Sequence, residues 1–411
     1  MDTTTTQATR ASQPAPKSPI ALLALLMAMT ALGPLTLNIL VPAVPNLVVT
    51  MNAEPGTVQL TISLYLFGLA ISQLALGPLS DRFGRRPVVI GGLALTALAS
   101  IVAIAMSSIG ALIAARMVQA LGASTGLVVG RAIIRDLYDR DRAASMIGSV
   151  TTVMVVAPMV APLIGGTLDT TLGWESIFVF IAVASTLVLT WAYLALPETR
   201  PDYVTGGGFR FIARETRELF RDRTFSGYVL VTAIATSTFF AFLGGAPHLV
   251  IGIMGRSSAE YGAWFALAAF GYMLGNLMAA RLSPRFGVDK MIRAGVSLQI
   301  VGGVVSIILA TLFPLGGPET VFPAQFLLSC GNGIFLPNAV AGAISVRPQA
   351  AGTASGIVGF AQMGLGAIAA QVMSYVIAHS STAQPMAWSM FILAAIAMVL
   401  FLFLIKPPRK P

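Results

Sequence analysis

The residues of this chain that could do chemistry are a few charges set in apolar surroundings. Arg116 stands about six residues inside an apolar run, where inserting an arginine into a membrane costs about 2.5–3.5 kcal/mol. The turn Gly77-Pro-Leu-Ser-Asp-Arg-Phe-Gly-Arg-Arg-Pro87 holds four ionisable residues between two apolar runs. Such charges can bind an anion, pair with each other or bias one conformation against another.

Catalysis is not expected from the sequence. It contains no cluster of metal ligands, no glycine-rich nucleotide loop and no nucleophile spaced with a base and an orienting residue. Cys330 is the single cysteine, which excludes an intramolecular disulfide. We therefore predict neither an enzyme nor a bound cofactor or metal. A membrane sensor would be expected to carry a soluble domain, of which the sequence shows no sign.

The acidic residues lie away from the predicted membrane depth of Arg116. The 16 Asp and Glu residues include a group at one edge of the apolar runs, Asp81, Asp136, Asp139 and Asp141, and a group at or near the other side, Glu54, Asp169, Glu175, Glu260 and Glu319. Asn38 is predicted at the level of Arg116, where it can hydrogen-bond the guanidinium without neutralising it. The sequence therefore predicts a central cavity of positive potential, suited to neutral electron-rich or anionic compounds.

Apolar helices must position these groups. The chain is 56% hydrophobic and 10% charged, whereas charged residues make up about a quarter of soluble domains, and its mean hydropathy is +0.83. About 20 residues of helix cross a membrane. The pattern predicts an all-α membrane protein with twelve transmembrane helices, over residues 20–43, 57–77, 88–107, 110–132, 143–165, 176–196, 227–250, 260–280, 291–312, 321–343, 352–377 and 386–405.

The net charge of +9 indicates an orientation in the membrane and does not point to a nucleic-acid partner. Of the 25 Lys and Arg residues, only Arg256 falls in a loop on the second side of the twelve-span arrangement, and Arg116 falls within a span. Loops rich in Lys and Arg stay in the cytoplasm. We predict a multi-pass protein of the cell inner membrane with both termini in the cytoplasm.

The charged turn recurs in the later part of the chain, which indicates two related halves. Leu282-Ser-Pro-Arg-Phe-Gly287 matches Leu79-Ser-Asp-Arg-Phe-Gly84 at five of six positions, 203 residues downstream. We predict six-helix bundles over 18–196 and 227–405, a linker over 197–226, and polar tails over 1–17, expected to be disordered, and 406–411. An amphipathic segment of the linker would turn its apolar residues toward lipid, namely Phe209, Ile212, Leu219 and Phe220.

Several motifs resemble those of the major facilitator superfamily. The order Gly-x-Leu-x-Asp-Arg-x-Gly-Arg-Arg at 77–86 resembles the signature loop of that family, and Arg116-Met-Val-Gln-Ala-Leu-Gly-Ala123 is similar to a motif of its helix 4. Ala157-Pro-Met-Val-Ala-Pro-Leu-Ile-Gly-Gly166 resembles the helix-5 motif of its antiporter branches. Gly130-Arg-Ala-Ile-Ile-Arg-Asp136 and Gly173-Trp-Glu-Ser-Ile-Phe178 narrow the resemblance to the bicyclomycin and chloramphenicol resistance exporters, the Bcr/CflA-like group.

The resemblance implies a monomeric antibiotic or multidrug efflux transporter that works by alternating access and exchanges small organic compounds, such as amphenicol- or bicyclomycin-like molecules, for protons. It also implies conformational roles for two sets of residues: Gly77, Asp81, Arg82, Gly84, Arg85, Arg86 and Asp136 around the charged turn, and Pro158, Pro162, Gly165 and Gly166 on helix 5. In the resembled family, the charged turn latches helices 2 and 4 against the start of helix 11 in the outward-facing state, which places Asp81 near Gly352.

One departure from the resembled group bears on proton coupling. That group usually carries Asp-x-Tyr-Leu-Pro-Ala on helix 1, where this chain has Asn38-Ile-Leu-Val-Pro-Ala43, so the acid that would titrate is replaced. The alternative is a facilitator or organic-anion exporter of the same fold without proton coupling. His248 is a further candidate for a proton site. The predicted substrate and coupling residues are Asn38, Arg116, Gln119, Tyr65, Phe239, Tyr272, Asn276, Asn332 and Gln362.

Overall fold

Long apolar helices account for nearly all of the described chain. The structure is a computed structural model that describes residues 19–138, 140–199, 209–347 and 350–405. In the first half (residues 19–199) the helices are α1 (Pro19–Ile39), α2 (Val44–Thr50), α3 (Pro55–Phe83), α4 (Arg85–Ile104), α5 (Ile109–Ala123), α6 (Thr125–Leu137), α7 (Arg140–Leu172) and α8 (Glu175–Ala195). In the second half (residues 209–405) they are α9 (Phe209–Phe220), α10 (Arg223–Pro247), α11 (Ser258–Phe286), α12 (Val288–Leu312), α13 (Phe322–Val346), α14 (Ala351–Ala378) and α15 (Gln384–Leu404).

The helices match the predicted spans. Eleven stretches of the described residues are long and apolar enough to cross a membrane, and α7, a continuous helix of 33 residues, supplies a further crossing between α6 and α8. Two crossings contain a break, at the turn Val41–Ala43 between α1 and α2 and at Ser124 between α5 and α6. Since the chain reverses at each crossing, the loops lie at two ends. We call the end that holds residues 196–199 and 209–223 the linker end, and the end that holds residues 51–54 and 173–174 the far end.

The two halves meet along two helix pairs, α3 with α14 and α7 with α11. At the far end, Gln371 Nε2 on α14 donates to the carbonyl of Gly56 on α3 at 2.7 Å. Further along, the side chain of Gln73 fills the space beside Gly359. Toward the linker end, no neighbouring element of the described chain comes within 4 Å of the Cβ position of Gly77 or Gly352. The halves are therefore in close contact at the far end, whereas Gly77 and Gly352 near the linker end have no such contact with the opposite half. Their division into two separate six-helix domains stays a prediction.

The linker helix α9 is docked on the second half. Glu218 on α9 pairs with Arg347 at 2.7 Å, and the hydroxyl of Thr353 at the start of α14 donates to Glu215 at 2.5 Å. The Arg347 hydrogen bond lowers the pKa of Glu218, so this carboxylate is ionised at neutral pH. Leu219 is fully buried in an apolar core with Phe225 and other residues of the second half.

The prediction that Leu219 faces lipid is therefore wrong. The amphipathic pattern of the segment correctly predicts a helix, but the apolar face of that helix is partly covered by α10 and α14 instead of lipid. Phe220 remains half-exposed and packs edge to face on Phe225 at 5.7 Å. The side chains of Phe209 and Ile212 lie outside the described residues, as do the tails over 1–17 and 406–411.

Candidate functional site

Arg116 is fully buried on α5 and points at the main chain of two neighbouring helices. Its Nη1 donates to the carbonyl of Thr36 on α1 at 3.0 Å, and its Nε donates to the carbonyl of Thr61 on α3 at 3.3 Å. Nη1 also donates to Oε1 of Gln119, one turn along α5, at 2.6 Å. None of the ion pairs among the described residues includes Arg116. The charge is held without a carboxylate.

An aromatic ring and a chain of polar groups complete these surroundings. The guanidinium carbon of Arg116 lies 4.2 Å from the ring centroid of Tyr65, a cation–π distance. The Tyr65 hydroxyl donates to the carbonyl of Gly33 at 3.2 Å, and Gln119 Nε2 donates to Ser100 Oγ on α4 at 2.6 Å. We call these residues, with Thr36 and Thr61, the Arg116 cluster. Its dipoles and ring take the place of a counter-charge and tie together four helices of the first half.

Contrary to the prediction, Asn38 does not take part in the Arg116 cluster. Its Nδ2 donates to the carbonyl of Pro34, one turn back on its own helix, at 2.8 Å. The main chain of Thr36 occupies the position at the guanidinium that was expected for the Asn38 amide. Residues two apart on a helix face nearly opposite sides, so a shared membrane depth was not enough to bring Asn38 to Arg116. The predicted hydrogen bond between the two side chains is therefore not formed.

Several buried polar atoms of α1 and α5 have no hydrogen-bond partner in the described chain. They are Arg116 Nη2, Thr36 Oγ1 and Asn38 Oδ1. An unpaired donor on a buried cation is costly, and an electron-rich or anionic acceptor would satisfy it. Arg116 has no exposed surface in this conformation, so a ligand must displace neighbouring side chains before it touches the guanidinium.

The predicted pocket residues of the second half lie on four other helices. Asn276 on α11 donates to the carbonyl of Tyr272 at 3.0 Å, and Asn332 on α13 is buried with Oδ1 unpartnered. Phe239 on α10 packs edge to face on neighbouring rings, and Gln362 on α14 is half-buried. The hydrogen bonds and ring contacts described for these residues stay within the second half. The structure therefore assembles Tyr65, Arg116 and Gln119 into one cluster, and none of the hydrogen bonds or ring contacts described for the second-half candidates reaches it.

A second buried arginine, Arg85, lies at the linker end and has carboxylate partners. Its Nε donates to Asp136 on α6 at 2.9 Å, and its Nη1 contacts Asp81 at 2.5 Å and the Ser80 hydroxyl at 2.6 Å, both on α3. Gly84, with φ of 98°, makes the single-residue turn from α3 to α4 that allows this closure. We call these residues the Arg85 cluster. The Asp81 side chain is 38% exposed, against 13% for Asp136, so Asp81 is the member that can change partner.

Glu198 is a member of this region that the sequence reading missed. Its carboxylate accepts from the main-chain N–H of Arg85 at 2.9 Å and of Arg86 at 3.2 Å, which are the first two residues of α4. An anion is favoured at a helix N-terminus. Arg86 Nη2 in turn donates to the carbonyl of Tyr193, so the end of α8 is fastened to the start of α4. The available signal was an acid directly after Pro197, two residues before Arg200.

The remaining residues of the charged turn show that the latch to α14 is not made in this conformation. The guanidinium of Arg82 lies over the neighbouring Phe83 ring, 5.2 Å from its centroid. Asp81 pairs with Arg85, and the Cβ position of Gly352 at the start of α14 has open space beside it. The arrangement is the one expected when the linker end is open.

The small residues on α7 lie where both halves touch. A Cβ atom on Gly165 would collide with the main chain of Ile39 on α1, and one on Gly166 would collide with the main chain of Ser258 at the start of α11. On the facing helix, a Cβ on Gly262 would collide with the carbonyl of Pro162. These glycines permit main-chain contact between α7 and two other helices, one of them in the second half. Pro158, one turn before Pro162, is half-buried.

Comparison with known proteins gives a consistent match along the whole chain. The family model described as "Major Facilitator Superfamily" matches residues 26–370 and 243–411. A Haemophilus influenzae protein named bicyclomycin resistance protein homolog is 27% identical, over 92% of this chain and 94% of its own length. Multidrug resistance protein D of Escherichia coli is 32% identical, over 83% of this chain and 85% of its own. The crystal structure of a D-xylose-proton symporter has a TM-score of 0.76 at 14% identity, covers 94% of this chain and 98% of its own, and supports the fold alone.

Proposed function

Because the chain belongs to the Major Facilitator Superfamily, we propose that it is a multidrug efflux transporter that carries small organic compounds across a membrane. The observation that carries this proposal is the 32% identity over 83% of the chain to a multidrug resistance protein. The match to the bicyclomycin resistance homologue, over nearly the full length of both chains, favours antibiotics among the substrates. The multi-pass helical fold provides the membrane crossings that this activity requires.

We propose that the linker end faces the cytoplasm of a cell whose inner membrane holds the protein. The support is the concentration of Lys and Arg in the loops of that end. With this orientation, the conformation described above faces inward, and transport requires the linker end to close while the far end opens. Closure would bring Asp81 to the start of α14 near Gly352.

We propose that the substrates include neutral electron-rich or anionic compounds, among them amphenicol- or bicyclomycin-like molecules. The support is a buried guanidinium with no carboxylate partner and with one unpaired donor, Nη2 of Arg116. Such a group attracts acceptors and repels cations. The second-half residues Phe239, Tyr272, Asn276, Asn332 and Gln362, with Tyr65 and Gln119, remain the proposed pocket residues.

We propose that efflux is coupled to protons. The alternative is a facilitator or organic-anion exporter of the same fold that follows the substrate gradient. Asn38 cannot titrate, and Arg116 lacks a carboxylate to release. These two facts favour the alternative, whereas the relatives favour a multidrug exporter. His248, half-buried directly after α10 at the far end, is a further candidate for a proton site. The transporter is proposed to work as a monomer.

Two measurements test the proposal. The first is growth of a pump-deficient host that expresses the chain, in the presence of an amphenicol, bicyclomycin, a cationic dye or an organic acid. Resistance to the amphenicol and to bicyclomycin supports efflux if it is lost in an Arg116→Ala control variant. Unchanged sensitivity to all four compounds contradicts efflux. The second is uptake into liposomes with and without a pH gradient. Transport that ignores the pH gradient selects the uncoupled alternative.

The orientation needs a separate test. Single cysteines in a Cys330→Ala background, one replacing Arg221 at the linker end and one replacing Leu315 at the far end, should react with a membrane-impermeant thiol reagent from inside and outside the cell respectively. Both original side chains are exposed. Reaction of both from the same side would overturn the proposed topology.

A further inference from the structure

Asp169 on α7 is a buried carboxylate at the far end that the sequence assigned to no role. Its Oδ1 accepts from Asn46 Nδ2 on α2 at 2.9 Å, and its Oδ2 accepts from the hydroxyl of Ser258 at 2.8 Å. The residue is 7% exposed. No ion pair within the described ranges includes it. Burial of a carboxylate costs free energy unless its surroundings replace the lost hydration. The hydrogen bonds from Asn46 and Ser258 must therefore replace it here.

The partners of Asp169 come from both halves of the molecule. Asn46 belongs to the first half, as Asp169 does, whereas Ser258 is the first residue of α11 in the second half. The N-terminus of α11, a helix of 29 residues, carries a partial positive charge and offers this carboxylate an electrostatic partner without a basic side chain. If the halves move as units, Asn46 stays with Asp169 and the contact with Ser258 and the helix end is broken.

The backbone around Asp169 is shaped to make that contact close. Gly166, one turn before it, lies against the main chain of Ser258, and Gly262, one turn after Ser258, lies against Pro162. These contacts leave no room for a side chain on either glycine. The carboxylate is therefore placed one turn from a main-chain contact between α7 and α11 at the far end. It lies beside a pocket of about 490 Å³ lined by Asn46, Trp174 and Glu175 among others.

We propose that Asp169 is the latch that holds the far end closed, by joining α7 of the first half to the start of α11 in the second half. The proposal rests on the alternating-access function proposed above. Opening of the far end requires the bond from Ser258 to break and Gly166 to leave the main chain of α11, while Asp169 keeps Asn46 and gains water. Asp169 thus sets the balance between the two facing states and does not touch the substrate.

The test measures how often each end opens in the full-length protein in lipid nanodiscs, without any substrate. Two single-cysteine reporters are built in a Cys330→Ala background. Val41→Cys reports the far end, because Val41 is buried in the turn between α1 and α2 that contacts α10 and α11. Leu74→Cys reports the linker end, because Leu74 is exposed beside Gly356 on the facing helix α14. The rate of reaction with a small thiol reagent measures accessibility.

Asp169→Asn and Ser258→Ala should each raise the reaction rate at position 41 about tenfold, the equivalent of about 1.4 kcal/mol, and should lower the rate at position 74. Unfolding would raise both rates, so opposite changes identify a shift between the two states. Combined, the two substitutions should give little more than the larger single effect, because they remove the same contact. The matched control is Ser176→Ala, which removes a far-end hydroxyl bonded only to main-chain carbonyls of the first half.

Reaction rates at both reporter positions that match those of the control would overturn the latch. A double variant whose change in rate equals the product of the two single changes would also overturn it. Ser258→Ala keeps the carboxylate and its hydrogen bond from Asn46, so it decides the matter if Asp169→Asn does not fold. Drug resistance is measured separately in cells. A response of the reporters without resistance would leave the latch standing and remove the proposed export function, whereas resistance without a response would remove the latch alone.

Discussion

Two arginines of the first half are buried, and they are stabilised in opposite ways. Arg85 at the linker end has two carboxylates, one of them 38% exposed. Arg116 in the middle of α5 has two main-chain carbonyls, an amide oxygen and an aromatic ring. A carboxylate at the edge of the membrane can exchange its partner as the halves move, whereas carbonyls and a ring keep a positive charge in place. We propose from this contrast that Asp81 of the Arg85 cluster changes partner during transport, whereas Arg116 supplies a fixed positive potential.

The largest effect is expected where the fixed charge is removed. Arg116→Ala should reduce efflux to the level of a host without the transporter, because three acceptors lose their donor and the positive potential disappears. Arg116→Lys should leave partial activity, since a lysine keeps the charge and loses the planar fork that reaches two carbonyls. Efflux of one drug, with membrane expression checked in parallel, measures both. Wild-type efflux from the alanine variant would break the comparison, because Arg116 would then have no role in transport.

A large effect on stability is expected at the Arg85 cluster. Asp136→Asn leaves a buried guanidinium with Asp81, which is exposed, as its one carboxylate partner, and the free energy of unfolding should fall by about 3 kcal/mol. Asp81→Asn should cost about 1 kcal/mol or less, because that partner is exposed, yet it should impair efflux more strongly if Asp81 serves the opposite conformation. Thermal unfolding in detergent and efflux in cells give the two readouts. Equal losses of stability in the two variants would contradict the distinction between a structural and a switching carboxylate.

A smaller effect is expected when a carboxylate is added at position 38, because the side chain there turns toward its own helix and away from Arg116. Asn38→Asp adds a carboxylate to α1, whose main chain at Thr36 already contacts Arg116. Its ionised fraction rises with pH, so efflux of a cationic dye should rise severalfold from mildly acidic to mildly alkaline pH, while efflux of an anionic compound falls. Asn38→Ala, which removes the amide without adding a charge, is the control. A pH profile and selectivity equal to wild type would show that this position is not the place where coupling is gained or lost.

The sequence was sufficient for the fold because each crossing is a long apolar run whose helical structure does not depend on its neighbours. It also grouped Tyr65, Arg116 and Gln119 as candidates, and the structure brings them together because Arg116 and Gln119 lie one turn apart on α5. Pairing between helices was harder to predict. The sequence predicts the depth of Asn38 in the membrane, but the direction in which its side chain points around the helix axis does not follow from depth. In the structure this side chain turns toward its own helix.

The residues that were missed or misplaced depend on partners far away in the chain. Leu219 has the apolar character of a lipid-facing residue, and only tertiary packing shows that the second half covers it. Asp169 finds Ser258 at a separation of 89 residues, and Glu198 finds Arg85 at a separation of 113. No local pattern marks an acid that will cap a helix from such a distance. Asp169 and Glu198 share one sequence signal, an acid at or just after a helix end, which is too common to select them.

The smallest effect is expected at Glu198, which stabilises the Arg85 cluster through the main chain. Glu198→Gln keeps an acceptor and removes the charge at the N-terminus of α4, so the free energy of unfolding should fall by about 0.5 kcal/mol. Glu198→Ala also leaves the N–H groups of Arg85 and Arg86 without this acceptor, and should cost about 1 kcal/mol. Because the carboxylate joins the end of α8 to the start of α4, both variants should also loosen the linker end of the first half.

The matched control is Asp222→Asn at the start of α10. Asp222 accepts from the N–H of Thr224 and Phe225 in its own first turn, so this variant removes the same charge from a helix N-terminus without separating two helices. Hydrogen exchange of the first turn of α4 should quicken in the Glu198 variants and remain unchanged in the control, while thermal unfolding shifts by a similar small amount in Glu198→Gln and Asp222→Asn. If exchange in α4 is the same in all of them, Glu198 acts on the helix dipole alone, and the Arg85 cluster holds α3, α4 and α6 together without help from α8.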